Sequence, residues 1–294
     1  MSNQHREVKG MLALKCKQVI NILCAVVLVM QACAHAQQQR ITIKGSDTMV
    51  ILNQRWAEEF MKRHPNILVQ VTGGGSGIGI AALISGTTDI CASSRSLKQK
   101  EVEDLKERYG REPVKYEVAY DGICIYVHPT NKVNALTIEQ LRLIYTGKIR
   151  DWKEVGGTPG RIVLYGRENV SGTYEFFKEH VLEGADYASD YQALPGTAAV
   201  VNAVSRDRFG IGYGGVGYAK GVKVLALRKD IKSPAFKPTL ENVHKGLYPL
   251  SRPLFFFTAK PPSGAVKQFI DFVLSPDGQK VVKEVGYYPI RKTK

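Results

Sequence analysis

The sequence is short of the residues that carry metal and redox chemistry. Six histidines and five cysteines are scattered over 294 residues, and no two histidines form an H-x-x-x-H pair. Cys124 and His128 fall on one face of an extended run, but two ligands do not make a zinc site. Without a metal cluster or a nucleophile placed beside a base, hydrolytic chemistry has no visible apparatus. Neither metal nor cofactor is expected, and the chain reads as something other than an enzyme. Gly73 to Gly79 approach a dinucleotide fingerprint, yet the G-x-G-x-x-G spacing and the acidic partner for a ribose are both missing. There is no low-complexity tract, no internal repeat, no basic run and no interleaved aromatic ladder, which argues against nucleic acid as a partner.

Long apolar runs are missing as well. The longest, over 19–30, is about a dozen residues, against the roughly 20 that an ordinary membrane-spanning helix needs. It follows Lys9, Lys15 and Lys17 and precedes Ala34-His35-Ala36 and the polar Gln37-Gln38-Gln39. That is the layout of an export signal over 1–36, with cleavage expected after Ala36. Cys33 offers an alternative as the lipid-modified cysteine of a lipoprotein signal ending at 32, although Met30-Gln31-Ala32 matches that pattern only at Ala32. The exported chain would be periplasmic, or membrane-anchored through Cys33.

Loss of the segment changes what remains. Only Cys91 and Cys124 are left, each inside an apolar strand-like run, and two buried free thiols are expected rather than a disulfide. The formal net charge falls from +14 to +11, because four basic residues and one acidic residue leave. A basic exported protein draws small anions towards it.

What is present is an alternation of strand and helix patterns, which indicates an α/β fold with a largely parallel sheet. A strand over 41–44 runs into Gly45-Ser46-Asp47-Thr48 and an amphipathic helix over 50–63. A strand over 68–72 runs into Gly73-Gly74-Gly75-Ser76-Gly77 and a helix to 85. A strand over 89–92 runs into Ser93-Ser94-Arg95-Ser96 and a charged helix over 98–109. Three strands ending in small polar loops that open helices describe the ligand-binding edge of an α/β sheet. Further on, a strand over 120–127 leads to a turn at His128-Pro129, followed by a helix over 137–145 and a strand over 162–165. A flexible glycine-rich strand and turn over 210–217 and a strand over 222–227 come next. Tyr248-Pro249-Leu250-Ser251-Arg252-Pro253 reads as a return crossing, and helices over 264–274 and 276–285 close the chain.

One stretch stands out. Arg167 precedes Ser171-Gly172-Thr173 by four residues, at the start of a helical pattern, where unpaired amides and two hydroxyls can hold an anion. Ser46, Thr48, Ser76 and Ser171 are also natural N-caps. Their convergence with an arginine at one sheet edge favours ligation over capping alone.

In this order and on these elements, the sequence resembles bacterial phosphate-binding proteins, the solute receptors of phosphate ABC transporters. The resemblance runs over 41–290 and rests on Gly45-Ser46-Asp47-Thr48, Gly74-Gly75-Ser76-Gly77, Ser93-Ser94-Arg95, Arg167 with Ser171-Gly172-Thr173, Tyr248 to Pro253, and Leu274-Ser275-Pro276-Asp277-Gly278-Gln279. It implies a two-lobed periplasmic-binding-protein-like fold, each lobe a mixed, mostly parallel sheet flanked by helices, with the ligand in the cleft. Lobe I would be 37–127 plus 253–294 and lobe II 128–252, with hinges near Val127 and Pro253. It implies, too, a monomer that hands inorganic phosphate to permease subunits in the inner membrane. Carried over by position, Ser46 and the hydroxyls of Thr48 and Ser76, the Met49 amide, Arg167, and Ser171, Gly172 and Thr173 would hold the anion.

One departure affects selectivity. Where well-known members carry an aspartate that accepts the proton of hydrogen phosphate, this chain has Ser94, followed by Arg95. Sulfate carries no proton near neutral pH, so an acceptor carboxylate separates the two anions. Asp121 is the candidate replacement and Asp47 the second choice. Arg95 is either a second cationic contact or a surface ion pair. A receptor for another oxyanion such as sulfate, and a phosphate-sensing or adhesive surface protein on the same fold, are the alternative readings.

Overall fold

The computed structural model describes residues 38–290. The expected export segment, its cleavage after Ala36 and the alternative lipidation of Cys33 lie outside the described residues.

The chain opens with β1 (Gln39–Gly45), a single 3-10 turn over Asp47–Met49, and α1 (Val50–Arg63). Leu52, Trp56 and Phe60 recur every four residues and form the buried stripe of α1. β2 (Ile67–Thr72), α2 (Ser76–Ser85), β3 (Ile90–Ser93) and α3 (Gln99–Tyr109) complete the first run. β4 (Val114–Val127) then crosses the molecule and leads to β5 (Ala135–Thr137), α4 (Ile138–Tyr145), β6 (Val163–Arg167) and α5 (Gly172–His180). β7 (Gln192–Leu194), α6 (Gly196–Arg206), β8 (Gly210–Gly215), β9 (Lys223–Val224), β10 (Ala226–Arg228) and α7 (Leu240–His244) follow. The chain returns along β11 (Ser251–Thr258) to α8 (Gly264–Leu274) and α9 (Pro276–Val285).

The result is an α/β fold built on one continuous mixed sheet in the order β2-β1-β3-β11-β4-β8-β6-β7, with β9 added to β4. β2, β1 and β3 run parallel, as do β7, β6 and β8, while β11 and β4 join the two parallel groups through antiparallel pairings.

Apolar side chains collect in two principal cores. One gathers Ile41, Ile43, Trp56, Phe60, Val118, Leu254, Phe256 and Phe269, and the other Ile123, Ile125, Tyr145, Trp152, Phe177, Tyr213 and Leu250. The Trp56 indole donates to the Gly278 carbonyl at 2.7 Å and meets Phe256 edge-on, tying α1 to α9 and β11. Truncating such a buried aromatic costs about 3–5 kcal/mol. β4 passes from the first core to the second between Ala119 and Ile123, and the return chain passes back between Leu250 and Leu254.

Two local expectations are corrected. The glycine-rich run over 210–217, expected as a flexible strand and turn, owes its glycines to packing over 210–215: β8 is buried throughout, and a Cβ at Gly212 or Gly214 would stand 2.7 Å from Val200 or 2.6 Å from Thr197. Those glycines let α6 lie directly on the strand. α6 itself has no counterpart in the sequence pattern, since Pro195 is its N-cap and valines crowd its centre. Cys91 and Cys124 are buried free thiols, and burial raises the pKa of both.

Candidate anion-binding site

Because β1, β2 and β3 are parallel, the loops after them emerge on one edge. They face the start of α5, which the loop after β6 delivers from the second core. Ser46, Thr48, Ser76, Ser94, Ser171 and Thr173 are all buried where these loops meet.

Their hydroxyls bond to one another across the junction. Thr48 Oγ1 lies 2.9 Å from Thr173 Oγ1, Ser46 Oγ donates to Ser94 Oγ at 3.0 Å, and Ser76 Oγ lies 3.3 Å from the same atom. The Ser94 amide donates to Ser76 Oγ at 3.1 Å. Ser171 is the N-cap of α5, accepting from the amides of Thr173 and Tyr174 at 3.1 and 3.4 Å. A hydroxyl that already accepts from behind keeps its own hydrogen for whatever stands in front, so Ser76 and Ser171 are preset as donors. The Met49 amide is engaged within the 3-10 turn, donating to the Ser46 carbonyl at 3.0 Å.

Glycines set the approach of the two sides. A Cβ on Gly172 would meet Ser76 Oγ at 2.5 Å and Ser94 Oγ at 2.8 Å, and one on Gly75 would meet the Val170 carbonyl oxygen at 2.7 Å. The Gly77 amide donates to that same carbonyl at 3.0 Å.

Two arginine–aspartate pairs flank the hydroxyls. Arg167, 1% exposed, places Nη2 2.5 Å from Asp47 Oδ2 and donates from Nη1 to Thr197 Oγ1 at 2.9 Å. Its Nε is buried and has no hydrogen-bond partner among the described residues. Asp47 Oδ1 accepts from the Gly74 amide at 2.7 Å. The second pair is deeper. Arg252 Nη2 lies 3.0 Å from Asp121 Oδ2, and the two side chains are 2% and 0% exposed. Asp121 Oδ1 accepts from the Val216 amide at 3.0 Å. Burial pulls the Arg252 pKa below its ordinary value, while Asp121 pushes the other way.

Arg95 does not join the hydroxyls. It binds Glu101 through two nitrogens at 2.7 and 2.8 Å and also pairs with Glu175 of α5, so it holds the surface-ion-pair role. Burial alone would lower its pKa, but the hydrogen bonds and charge of Glu101 raise it overall. Lys98 reaches Glu175 as well. The start of α3 is thereby tied to α5.

Behind Arg167 stands a chain of tyrosine hydroxyls. Tyr191 donates to the Arg167 carbonyl at 2.8 Å and lies 2.8 Å from the Tyr213 hydroxyl. Tyr213 lies 2.9 Å from Tyr187, which donates to the Tyr174 carbonyl at 3.3 Å. Burial raises all three pKa values, so the hydroxyls stay protonated near neutral pH. The segment from Arg167 to Tyr174 is held at both ends. A groove of about 1350 Å³ passes Arg95, Lys98, Tyr174, Glu175 and Phe176 and reaches Ser94 and Arg252.

The structure brings the expected hydroxyls and Arg167 to one junction and places beside them Arg252, which is not among the expected ligands. A signal was available: Arg252 is the one charged residue of the largely apolar Ser251–Thr258 strand, a place where a charge needs a partner. Among the described residues no group of three or more acidic, histidine or cysteine side chains could hold a metal.

The arrangement has relatives. A model of the PBP superfamily domain matches residues 32–277. The phosphate-binding protein PstS of Pseudomonas aeruginosa is 35% identical over 263 residues, covering 84% of this chain and 81% of its own. Among solved structures, a Clostridium perfringens protein assigned as a phosphate ABC transporter substrate-binding protein, with bound phosphate, has a TM-score of 0.78 and 31% identity over 86% of this chain and 100% of that one. An ABC-type phosphate transport receptor from Vibrio cholerae has a TM-score of 0.68 and 31% identity, covering 85% of this chain and 100% of that one.

Proposed function

The chain belongs to the PBP superfamily and, within it, to the PstS-type phosphate-binding proteins, and from that membership we propose that it captures inorganic phosphate and delivers it to the permease of an ABC transporter. It is a receptor and not an enzyme. The observation that carries the reading is the burial of Ser46, Thr48, Ser76, Ser94, Ser171 and Thr173 together with Arg167 at one junction of loops. An oxyanion entering there exchanges hydroxyl–hydroxyl contacts for hydroxyl–anion contacts. Desolvating a dianion is costly, and fixed donors at helix starts with a permanent guanidinium supply the replacement. The Nε of Arg167 is a donor with capacity to spare.

The two cores form the basis of two lobes, which close by twisting where β4 and the Leu250–Leu254 stretch pass between them. Those points, rather than Val127 and Pro253, are the proposed hinges. Loops from both sides complete the site only when the lobes meet. Asp47 is the proposed acceptor for the proton of hydrogen phosphate, in preference to Asp121, because it touches the guanidinium that the anion approaches. The protein acts as a monomer after export to the periplasm, with an N-terminus at Gln37 or at a lipidated Cys33. Mass spectrometry of the isolated protein separates those two.

Titration calorimetry with phosphate, arsenate and sulfate over a range of pH tests the reading. Tight binding of phosphate and arsenate, with sulfate much weaker, is expected. No phosphate binding, or a preference for sulfate, overturns it.

A further inference from the structure

Arg252 lies on β11, where the chain passes from one core to the other. Its five donor hydrogens are all in use. Nε and Nη2 hold Asp121 Oδ2 at 3.3 and 3.0 Å, Nη1 holds the Ser94 carbonyl at 2.9 Å and the Gly172 carbonyl at 3.3 Å, and Nη2 also donates to Thr173 Oγ1 at 2.8 Å. One planar group therefore fixes the loop after β3, the first residue of α5 and the Thr173 hydroxyl. Asp121, from the other crossing strand, fixes the guanidinium in turn.

The contact with Thr173 sets the direction of a proton. Arg252 can only donate, so Thr173 Oγ1 accepts from it and points its own hydrogen away from the guanidinium, on the side where Thr48 Oγ1 lies 2.9 Å away and either hydroxyl can donate to the other. With an anion at the junction, the lone pair taken by Arg252 leaves that hydrogen for the anion, and the hydroxyl faces it as a donor and not an acceptor. For an anion, that difference decides whether the hydroxyl attracts or repels.

We infer that Arg252 is a positioning residue for anion capture: it orients the Thr173 hydroxyl as a donor and braces the loop after β3 against α5, with Asp121 as its anchor. The inference rests on the phosphate-receptor reading and deepens it. It gives Asp121 a role unlike proton acceptance, since both of its oxygens are committed behind the site. Arg252 acts without spending a donor on the ligand. Its effect extends equally to any tetrahedral oxyanion, because orienting a donor does not distinguish a protonated anion from an unprotonated one.

The test is a double-mutant cycle on the purified protein, once phosphate binding by the unaltered chain has been measured. Arg252→Lys and Thr173→Val are each expected to weaken phosphate binding at least tenfold, and the two together hardly more than the stronger one. Such coupling in affinity is what action through a shared hydroxyl produces, and independent damage at two places does not give it. The phosphate-to-sulfate ratio should stay constant in Arg252→Lys. Should Arg252→Lys fail to fold, Asp121→Asn takes its place in the cycle, with a smaller loss and the same coupling. Additive losses in affinity, unchanged affinity in a folded Arg252→Lys protein, or an altered anion ratio would overturn the inference. If the unaltered chain binds no phosphate, the receptor reading fails first and separately.

Discussion

Arg167 Nη2 stands 2.5 Å from Asp47 Oδ2, so the guanidinium best placed to attract an anion is already paired with a carboxylate. The two residues come from opposite sides of the hydroxyl junction. An unprotonated anion must approach Arg167 against the repulsion of Asp47, whereas an anion carrying a hydrogen can donate it to that carboxylate. Asp47→Asn removes the repulsion and replaces one of the two accepting oxygens with an amide that donates. Sulfate affinity should rise and the phosphate-to-sulfate ratio fall, which competition calorimetry measures directly. An unchanged ratio would remove Asp47 as the discriminating group.

Arg167→Ala should weaken phosphate binding by about 2–5 kcal/mol, the usual cost of truncating one member of a buried charge pair. The Tyr191 contact is to the Arg167 carbonyl, so the substitution leaves that contact in place. Calorimetry on a variant with intact circular dichroism checks it.

Gly172→Ala should separate stability from closure. Gly172 is the first residue of α5 and does not need a left-handed backbone, so alanine suits the helix itself. The added methyl would nevertheless sit 2.5 Å from Ser76 Oγ, on the opposite side of the junction. Phosphate affinity should drop at least tenfold with little change in melting temperature. A variant that binds as tightly as the unaltered protein would show that the two sides need not approach so closely.

Glu175 ties α5 to Arg95 and Lys98 across the groove. The pairs are partly exposed, and pairs of that kind contribute about 0.2–1 kcal/mol. Glu175→Gln should therefore speed phosphate release up to about fivefold and flatten its dependence on ionic strength. Stopped-flow displacement at low and high salt reads both effects.

Cys91 and Cys124 should not react with a thiol reagent at pH 8 while the protein is folded, because burial raises both thiol pKa values and shields the sulfurs. Both should react once denaturant unfolds the chain. A reagent such as Ellman's, used on folded and unfolded protein, gives the count.

Much of the framework was legible because it is written locally. α1, α8 and α9 carry clear four-residue periodicity, and their bounds match the sequence reading. The donor loops were legible for the same reason, as hydroxyl residues at helix starts behind strands. α6 was not, because its valine-rich centre reads equally as strand and Pro195 gives no polar cap signal. The charge pairs were not legible either. Asp47 and Arg167 are 120 residues apart, and Asp121 and Arg252 are 131 apart. Nothing in the local sequence chooses a partner at that distance. Arg95 was ambiguous until Glu101 and Glu175 were placed beside it.

The two parallel strand groups are welded through β11 and β4 into a single sheet, and this has a mechanical consequence. The proposed opening would be torsion of a hydrogen-bonded ribbon and not the swinging of slack tethers. On the proposed lobe motion, the amides of the crossing, such as Ile123, which donates to the Leu250 carbonyl at 2.8 Å, should keep their bonds. Hydrogen exchange there should be slow with or without ligand, and the ribbon should act as a spring whose relaxed twist fixes how far the two halves part.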